Sequence, residues 1–227
     1  MFAIMDSCLD RMEELFSVTV LEDAGQNALN SFDEKQPEVV FEQVSFGYDK
    51  SLVLEDVNFE LLPSTMTALV GPSDSGKSTI ANLLARFWDI QSGAIRIRGT
   101  QIKDLSLNEL MKSISMVFQQ TYLFEDSIYN NIKMGKMDAT EEEIFTAAKK
   151  ARCFDFIQNL PQGLIRSLVR VVKVFLGDST NVFLSQFLKD APIVILDETT
   201  ASVDANNEYY IQLNWLKIRS CLSLHIA

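Results

Sequence analysis

The residues best equipped for chemistry stand in one run, Gly71-Pro72-Ser73-Asp74-Ser75-Gly76-Lys77-Ser78-Thr79. Gly71, Gly76, Lys77 and Ser78 fit the pattern G-x-x-x-x-G-K-[ST]. The glycines let the backbone wrap so that successive N–H groups face phosphate oxygens, and Lys77 reaches the β- and γ-phosphates. The Ser78 hydroxyl is placed to ligate Mg²⁺, and a following helix adds its positive end to the same anion. Ser73, Ser75 and Thr79 complete the candidate phosphate-binding set. A chance Gly/Ser turn holding a lysine would explain the string alone. It would not explain the buried strand Thr67–Val70 that enters it, or the helical apolar spacing of Thr79–Trp88 that leaves it.

Such a loop needs an acid that holds Mg²⁺ through its water shell, at the end of a neighbouring apolar strand. Ile193-Val194-Ile195-Leu196-Asp197 supplies one, and Glu198 follows where a carboxylate can polarise an attacking water. A buried strand followed by solvated acids is the bland alternative; the loop at Gly71 favours the functional one. Asp197 is thus a candidate metal ligand and Glu198 a candidate general base.

The elements that must position these groups alternate. Val39–Tyr48 and Val53–Leu61 read as strands, Leu62–Ser64 as a turn, and Ala94–Ile97 as a further strand. Leu107–Lys112 reads as a short helix, Ile114–Phe118 as a buried strand, and Ala191–Asp197 as another. Thr140–Cys153 reads as a helix capped by Thr140, with Glu141, Glu142 and Glu143 in its first turn. Asn206–Leu216 reads as helical. Strands alternating with helices around this loop predict an α/β fold of the P-loop NTPase kind with a largely parallel central sheet. Ahead of it, Phe2, Met5, Leu9, Met12 and Phe16 space an amphipathic helix, and 18–37 reads as a polar linker. The folded domain is expected from Glu38.

Composition narrows the partners. Of 227 residues 47% are apolar and 22% charged, which suits a globular core, and a net charge of −11 disfavours a general nucleic-acid or anionic-membrane surface. Cys8, Cys153 and Cys221 show no metal spacing and fit a reducing compartment. No apolar run approaches the ~18 residues that span a bilayer.

Beyond the loop, four stretches resemble the ATP-binding domain of ABC transporters over most of 38–208. Phe46-Gly47-Tyr48 is similar to the loop whose aromatic, here Tyr48, stacks on adenine. Val117-Phe118-Gln119 is similar to the Q-loop, whose glutamine senses Mg²⁺ and the membrane domain. Leu196–Asp204 is similar to Walker B running into the D-loop, with Ser202 and Asp204 facing an opposing subunit. Tyr122-Leu123-Phe124 with Ser127-Ile128 and Asn131-Ile132 resembles the exporter form.

The resemblance implies an antiparallel β-subdomain at the N-terminal side, a core of 38–119 and 188–227, and a helical subdomain at 120–187. It implies ATP and Mg²⁺ as ligands, held by Tyr48, the loop, Ser78, Gln119 and Asp197, with Glu198, Gln119 and Lys77 catalytic. A second ABC ATP-binding domain and a transmembrane domain are the implied partners, with no nucleic acid, at the cytoplasmic face of a membrane. Residues 1–37 resemble the segment joining the last membrane helix to such a domain.

This sequence also departs from the family. The interval 164–187 holds no Leu-Ser-Gly-Gly-Gln signature, the loop that binds the γ-phosphate held by the opposite subunit. Read one nucleotide earlier with permitted synonymous codons, Leu164–Gly177 can spell a family-like lead into a signature. Thr180–Gln186 can spell the helix after it, and the tail from Gln212 the next helix and strand. A frameshifted gene is the expectation. The alternative is a divergent subdomain whose Val169, Val171 and Val174 pair as strands. His225, the one histidine, reads as a chance residue of the altered tail. Asp74 stands where the exporter loop has glycine. Weak Mg·ATP binding with impaired hydrolysis is therefore expected, and a non-hydrolysing binding module or a non-functional fragment is the alternative.

Overall fold

The computed structural model describes residues 9–13, 16–17, 23, 25–48, 51–117, 126–151, 154, 188–197 and 220–226. Among the described residues two four-stranded sheets enclose the core. The first joins β1 (Val39–Phe46), β2 (Leu54–Leu61), β4 (Ser92–Ile97) and β5 (Thr100–Gln101) in the order β2-β1-β4-β5, all antiparallel. The second joins β3 (Met66–Gly71), β6 (Ile114–Val117), β7 (Ile193–Asp197) and β8 (Ser220–Ile226) in the order β3-β8-β7-β6, all parallel. The α/β architecture with a parallel core sheet and an antiparallel N-terminal sheet is the one expected from the sequence.

In β1, alternation alone would turn half the strand's apolar residues to solvent. Val39 and Phe41 face the core, and so do Val44 and Phe46, although an odd step separates the two pairs. A β-bulge at Glu42–Gln43 inserts the extra residue that restores the face. Gln43 takes φ 50° there, and its N–H donates to Asn58 Oδ1 at 2.8 Å. Opposite, Gly93 lies so close that an added Cβ would meet the carbonyl oxygens of Glu42 and Gln43 at 2.4 Å. The bulge and that glycine are one device, and it leaves Phe46 buried and Tyr48 at the sheet's end, beside the Gly71–Thr79 loop.

The parallel sheet departs from expectation at β8. The tail belongs to the core expected over 188–227, with no strand assigned to it as written and one that a shifted frame can spell; Ser220–Ile226 as written lies between β3 and β7, hydrogen-bonded to both. Ser220, Cys221, Leu222, Ser223 and Leu224 are all buried. Apolar residues interleaved with small serines suit a strand covered on both faces, and the Ser220 hydroxyl accepts from the N–H of Ser64 at 3.2 Å.

Among the described residues, the four helices α1 to α4 are bounded by local chemistry. α1 (Lys77–Leu84) is shorter than the predicted 79–88, because Arg86 turns to φ 53° just past its end. α2 (Leu107–Ser113) starts at Ser106, whose hydroxyl accepts from the Glu109 N–H, and it runs directly into β6. α3 (Ile128–Lys133) starts at Ser127 in the same way. In that helix Ile128, Asn131 and Ile132 are buried, so this part of the exporter-like stretch forms a cap and a core face. α4 (Glu141–Lys150) has the predicted Thr140 cap, completed as a capping box by Glu143. The predicted helix 206–216 and the interval 164–187 lie outside the described residues.

Part of the polar stretch 18–37 is bound to the domain. The Asp23 carboxylate accepts from the Leu107 N–H at 2.9 Å, and the Asn27 N–H donates to the Asp104 carbonyl at 3.1 Å. Leu29 packs on the core, and Asn30 donates to the Arg98 carbonyl at 2.8 Å. The Arg98 guanidinium lies over the Phe32 ring and pairs with Glu38 at 2.8 Å. Burial pushes the Glu38 carboxyl up from its ordinary value, against the opposing pull of Arg98. Residues 9–13 and 16–17 are helical, and Leu9, Met12 and Phe16 of the amphipathic pattern are exposed.

Candidate functional site

Parallel register gathers the candidate residues on one edge. β3 ends at Gly71, paired with Ile226; β7 ends at Asp197, paired with Leu224; and Val117, the end of β6, pairs with Leu196. The carboxyl ends of parallel strands are where such sheets receive ligands. The Gly71–Thr79 loop leaves β3 here and Asp197 terminates β7 on the same edge. The β8 backbone brings His225 opposite Val70, so the histidine read as a chance residue of the tail occupies a strand position on that edge.

From Gly71 the loop turns through a Ser75 N–H···O=C Pro72 contact of 3.4 Å and enters α1 at Gly76. Gly76 is the N-cap residue at φ 86°, a conformation that L side chains rarely adopt, and an added Cβ would meet Leu54 Cδ2 at 2.6 Å. The second glycine of the motif therefore has a conformational and a packing reason. Lys77 is buried, and its ammonium curls over the loop, donating to the carbonyls of Gly71 at 2.9 Å and Pro72 at 2.7 Å and to Ser75 Oγ at 3.2 Å. That places a fixed positive charge within the loop's own curve. Ser73, Ser75 and Ser78 are exposed and Thr79 is buried.

The loop combines a left-handed glycine, a caged ammonium and the first turn of α1. The residues fit a triphosphate, and the Ser78 hydroxyl with the acid at the end of β7 is the hard-oxygen donor set that Mg²⁺ takes. Asp74 takes φ 62° at the loop's tip and is exposed. A left-handed residue there explains why the exporter loop uses glycine, and aspartate is among the few side chains that tolerate it.

Tyr48 sits beside the phosphate loop. Its hydroxyl donates to Thr79 Oγ1 at 3.3 Å, while 44% of the residue stays exposed. Its ring meets Phe46 edge-on at 5.0 Å and Trp88 edge-on at 5.3 Å. Trp88 is a member of this group that sequence reasoning missed. The available signal was an aromatic just after the helix that follows the loop, and what reveals the contact is tertiary. Gln91 ties the segment after Trp88 to β1, through its N–H to the Ser45 carbonyl at 3.2 Å and its amide to the Gly47 carbonyl at 3.1 Å.

Tyr48 therefore joins Gly71, Ser73, Ser75, Gly76, Lys77, Ser78 and Thr79 through its bond to Thr79, with the backbone of Asp197 on the sheet edge where β3 ends. Gln119, Glu198, Ser202 and Asp204 lie outside the described residues. Among the described residues no cluster of His, Cys, Asp and Glu forms a self-contained metal site, and no helix is long and apolar enough to cross a membrane.

Comparison with known proteins agrees with this geometry. Residues 54–201 match the family model described as ABC transporter. The chain is 39% identical to the putative multidrug export ATP-binding/permease protein YgaD of Bacillus subtilis, over 90% of this chain and 36% of that protein. It is 41% identical to the ATP-dependent lipid A-core flippase of Legionella pneumophila, over 88% of this chain and 34% of that protein. The solved structure of a bacterial Atm1-family ABC exporter with ATP bound superposes with a TM-score of 0.83 at 32% identity, covering 96% of this chain and 39% of that one. The chain spans about a third of the length of these curated relatives.

Proposed function

The chain belongs to the ABC transporter family, and from that premise we propose that it is the ATP-binding domain of an exporter, impaired in hydrolysis. The observation that carries the nucleotide reading is the caged Lys77 within a loop whose edge of the sheet also receives the end of β7. The loop N–H groups and Lys77 hold the β- and γ-phosphates, and Tyr48 offers its exposed ring to the base. Ser78, Asp197 and Gln119 would hold Mg²⁺, which supplies charge neutralisation of the phosphates. Glu198 takes the proton of the water that attacks the γ-phosphorus. A second ABC ATP-binding domain and a transmembrane domain are the partners, and the domain works at the cytoplasmic face of a membrane. Relatives whose names include export or flippase, and an ATP-bound exporter structure, support that assignment.

Impaired hydrolysis rests on the sequence of 164–187. Without a signature, this chain offers an opposing subunit no glycine-rich loop for its γ-phosphate, and a frameshift in the gene accounts for the break. Sequencing the coding DNA tests that cause; a shifted frame that does not spell a signature removes it. A phosphate-release assay run beside a Mg·ATP titration tests the consequence. The expected result is weak binding, lost in Lys77→Ala, with little phosphate released. Vigorous phosphate release abolished by Glu198→Gln would overturn the impairment. Nucleotide-dependent association without phosphate release would mark the second reading, a non-hydrolysing interaction module, which the same missing signature favours.

A further inference from the structure

We infer that Trp88 is a positioning residue for nucleotide-base recognition, holding the Tyr48 ring in the attitude in which it receives the base. The inference rests on the reading of Tyr48 as the base-stacking aromatic and extends it to a residue that the family resemblance did not single out.

A half-exposed tyrosine at a strand end is free to swing about its side-chain torsions unless neighbours forbid it. Tyr48 is held at three points. Its hydroxyl is tethered to Thr79 at 3.3 Å, on the helix that carries Lys77 and Ser78. Phe46 meets its ring at 5.0 Å and 85°, and Trp88 meets it at 5.3 Å and 86°. Both contacts are the edge-to-face arrangement that aromatic quadrupoles prefer. Phe46 is buried and belongs to the core, whereas Trp88 is 48% exposed. Burial of Trp88 in the core is therefore not what keeps it there. Its own contact with Phe46 is looser, at 6.3 Å and 54°, so the well-oriented aromatic partner of the indole is Tyr48.

The placement couples base and phosphate. Trp88 follows α1, Tyr48 follows β1, and Gln91 hydrogen-bonds the two segments together. A base stacked on Tyr48 and phosphates seated on the first turn of α1 would thus be registered against each other through one aromatic group. Removing the indole would leave the phosphate cradle intact, because none of the hydrogen bonds that cage Lys77 involves Trp88. It would release the Tyr48 ring.

The test compares Mg·ATP with Mg·tripolyphosphate, which shares the phosphates and lacks the base. Affinities are measured calorimetrically for the full chain and for Trp88→Ala, Trp88→Phe, Tyr48→Ala and the double variant Tyr48→Ala/Trp88→Ala. Trp88→Ala is expected to weaken ATP about three- to tenfold, the range of one oriented aromatic pair, with tripolyphosphate unchanged. Trp88→Phe is expected to restore ATP binding to within about twofold. In the Tyr48→Ala background the second substitution should add nothing. Equal weakening of both ligands would make Trp88 merely structural and overturn the inference, and so would additivity in the double variant. Sensitivity of ATP to Tyr48→Ala with indifference to Trp88→Ala overturns the role of Trp88 alone. ATP binding no tighter than tripolyphosphate in the unsubstituted chain overturns the base-recognition reading itself, and this inference with it.

Discussion

At the scale of single residues, the loop shows how a motif is enforced by conformation as well as by contact. Any substitution of Gly76 is strained by its φ of 86°, and an added Cβ would also have to displace the Leu54 methyl group at 2.6 Å. Asp74 shares the left-handed region at φ 62° but carries a side chain and a charge. Asp74→Gly relieves the backbone and removes an anion next to the triphosphate, the latter effect being on the order of 1 kcal/mol near a surface. The expected outcome is a rise in Mg·ATP affinity of about fivefold with a small gain in melting temperature. Calorimetric titration and thermal unfolding check both, and the affinity gain should shrink at high salt, where the charge is screened.

Among the elements, those with strong local signals were legible and those defined by their neighbours were not. Thr140 with Glu143 announces α4, and the apolar strands Met66–Gly71 and Ile193–Asp197 announce the site's edge. The bulge in β1 has no such signal, since it follows from how β1 must pair with β2 and β4 together. The contact between Tyr48 and Trp88 is likewise written only in the tertiary structure. β8 was hidden for a related reason: its serines look polar until both faces are covered. Its Cys221 lies between β3 and β7, and burial pushes the thiol up to about 12 from an ordinary 9.0. The folded state therefore keeps a proton that the unfolded chain loses. Stability from this group is complete below pH 9 and falls as pH rises toward 12, by up to about 1.4 kcal/mol per unit. Unfolding curves from pH 8 to 10.5 should steepen in their loss of stability for the native chain relative to Cys221→Ala. Equal slopes would contradict the burial argument.

For the molecule as a whole, the contacts from Asp23 to Phe32 attach the leading segment to the antiparallel sheet and to the start of α2. Because α2 runs straight into β6, that attachment ends two elements from the site's edge. Leu29→Asp should free the segment, costing about 1–2 kcal/mol for the lost apolar contact. Limited proteolysis should then cut within 23–32 first, while Mg·ATP affinity stays within about twofold, since no site residue is touched. The order β3-β8-β7-β6 has a further consequence, in the time domain. Among the described strands β3 pairs only with β8, and Met66 meets Cys221, 155 positions later along the chain (221 minus 66). At ~5–20 residues per second, a ribosome that has made the phosphate loop takes roughly another 8–30 s to make the strand that anchors it. The antiparallel sheet needs only about 20 further residues, through β5 at Gln101, and so can be complete for most of that interval. The loop between β3 and α1 is translated well before β8, the strand that secures it.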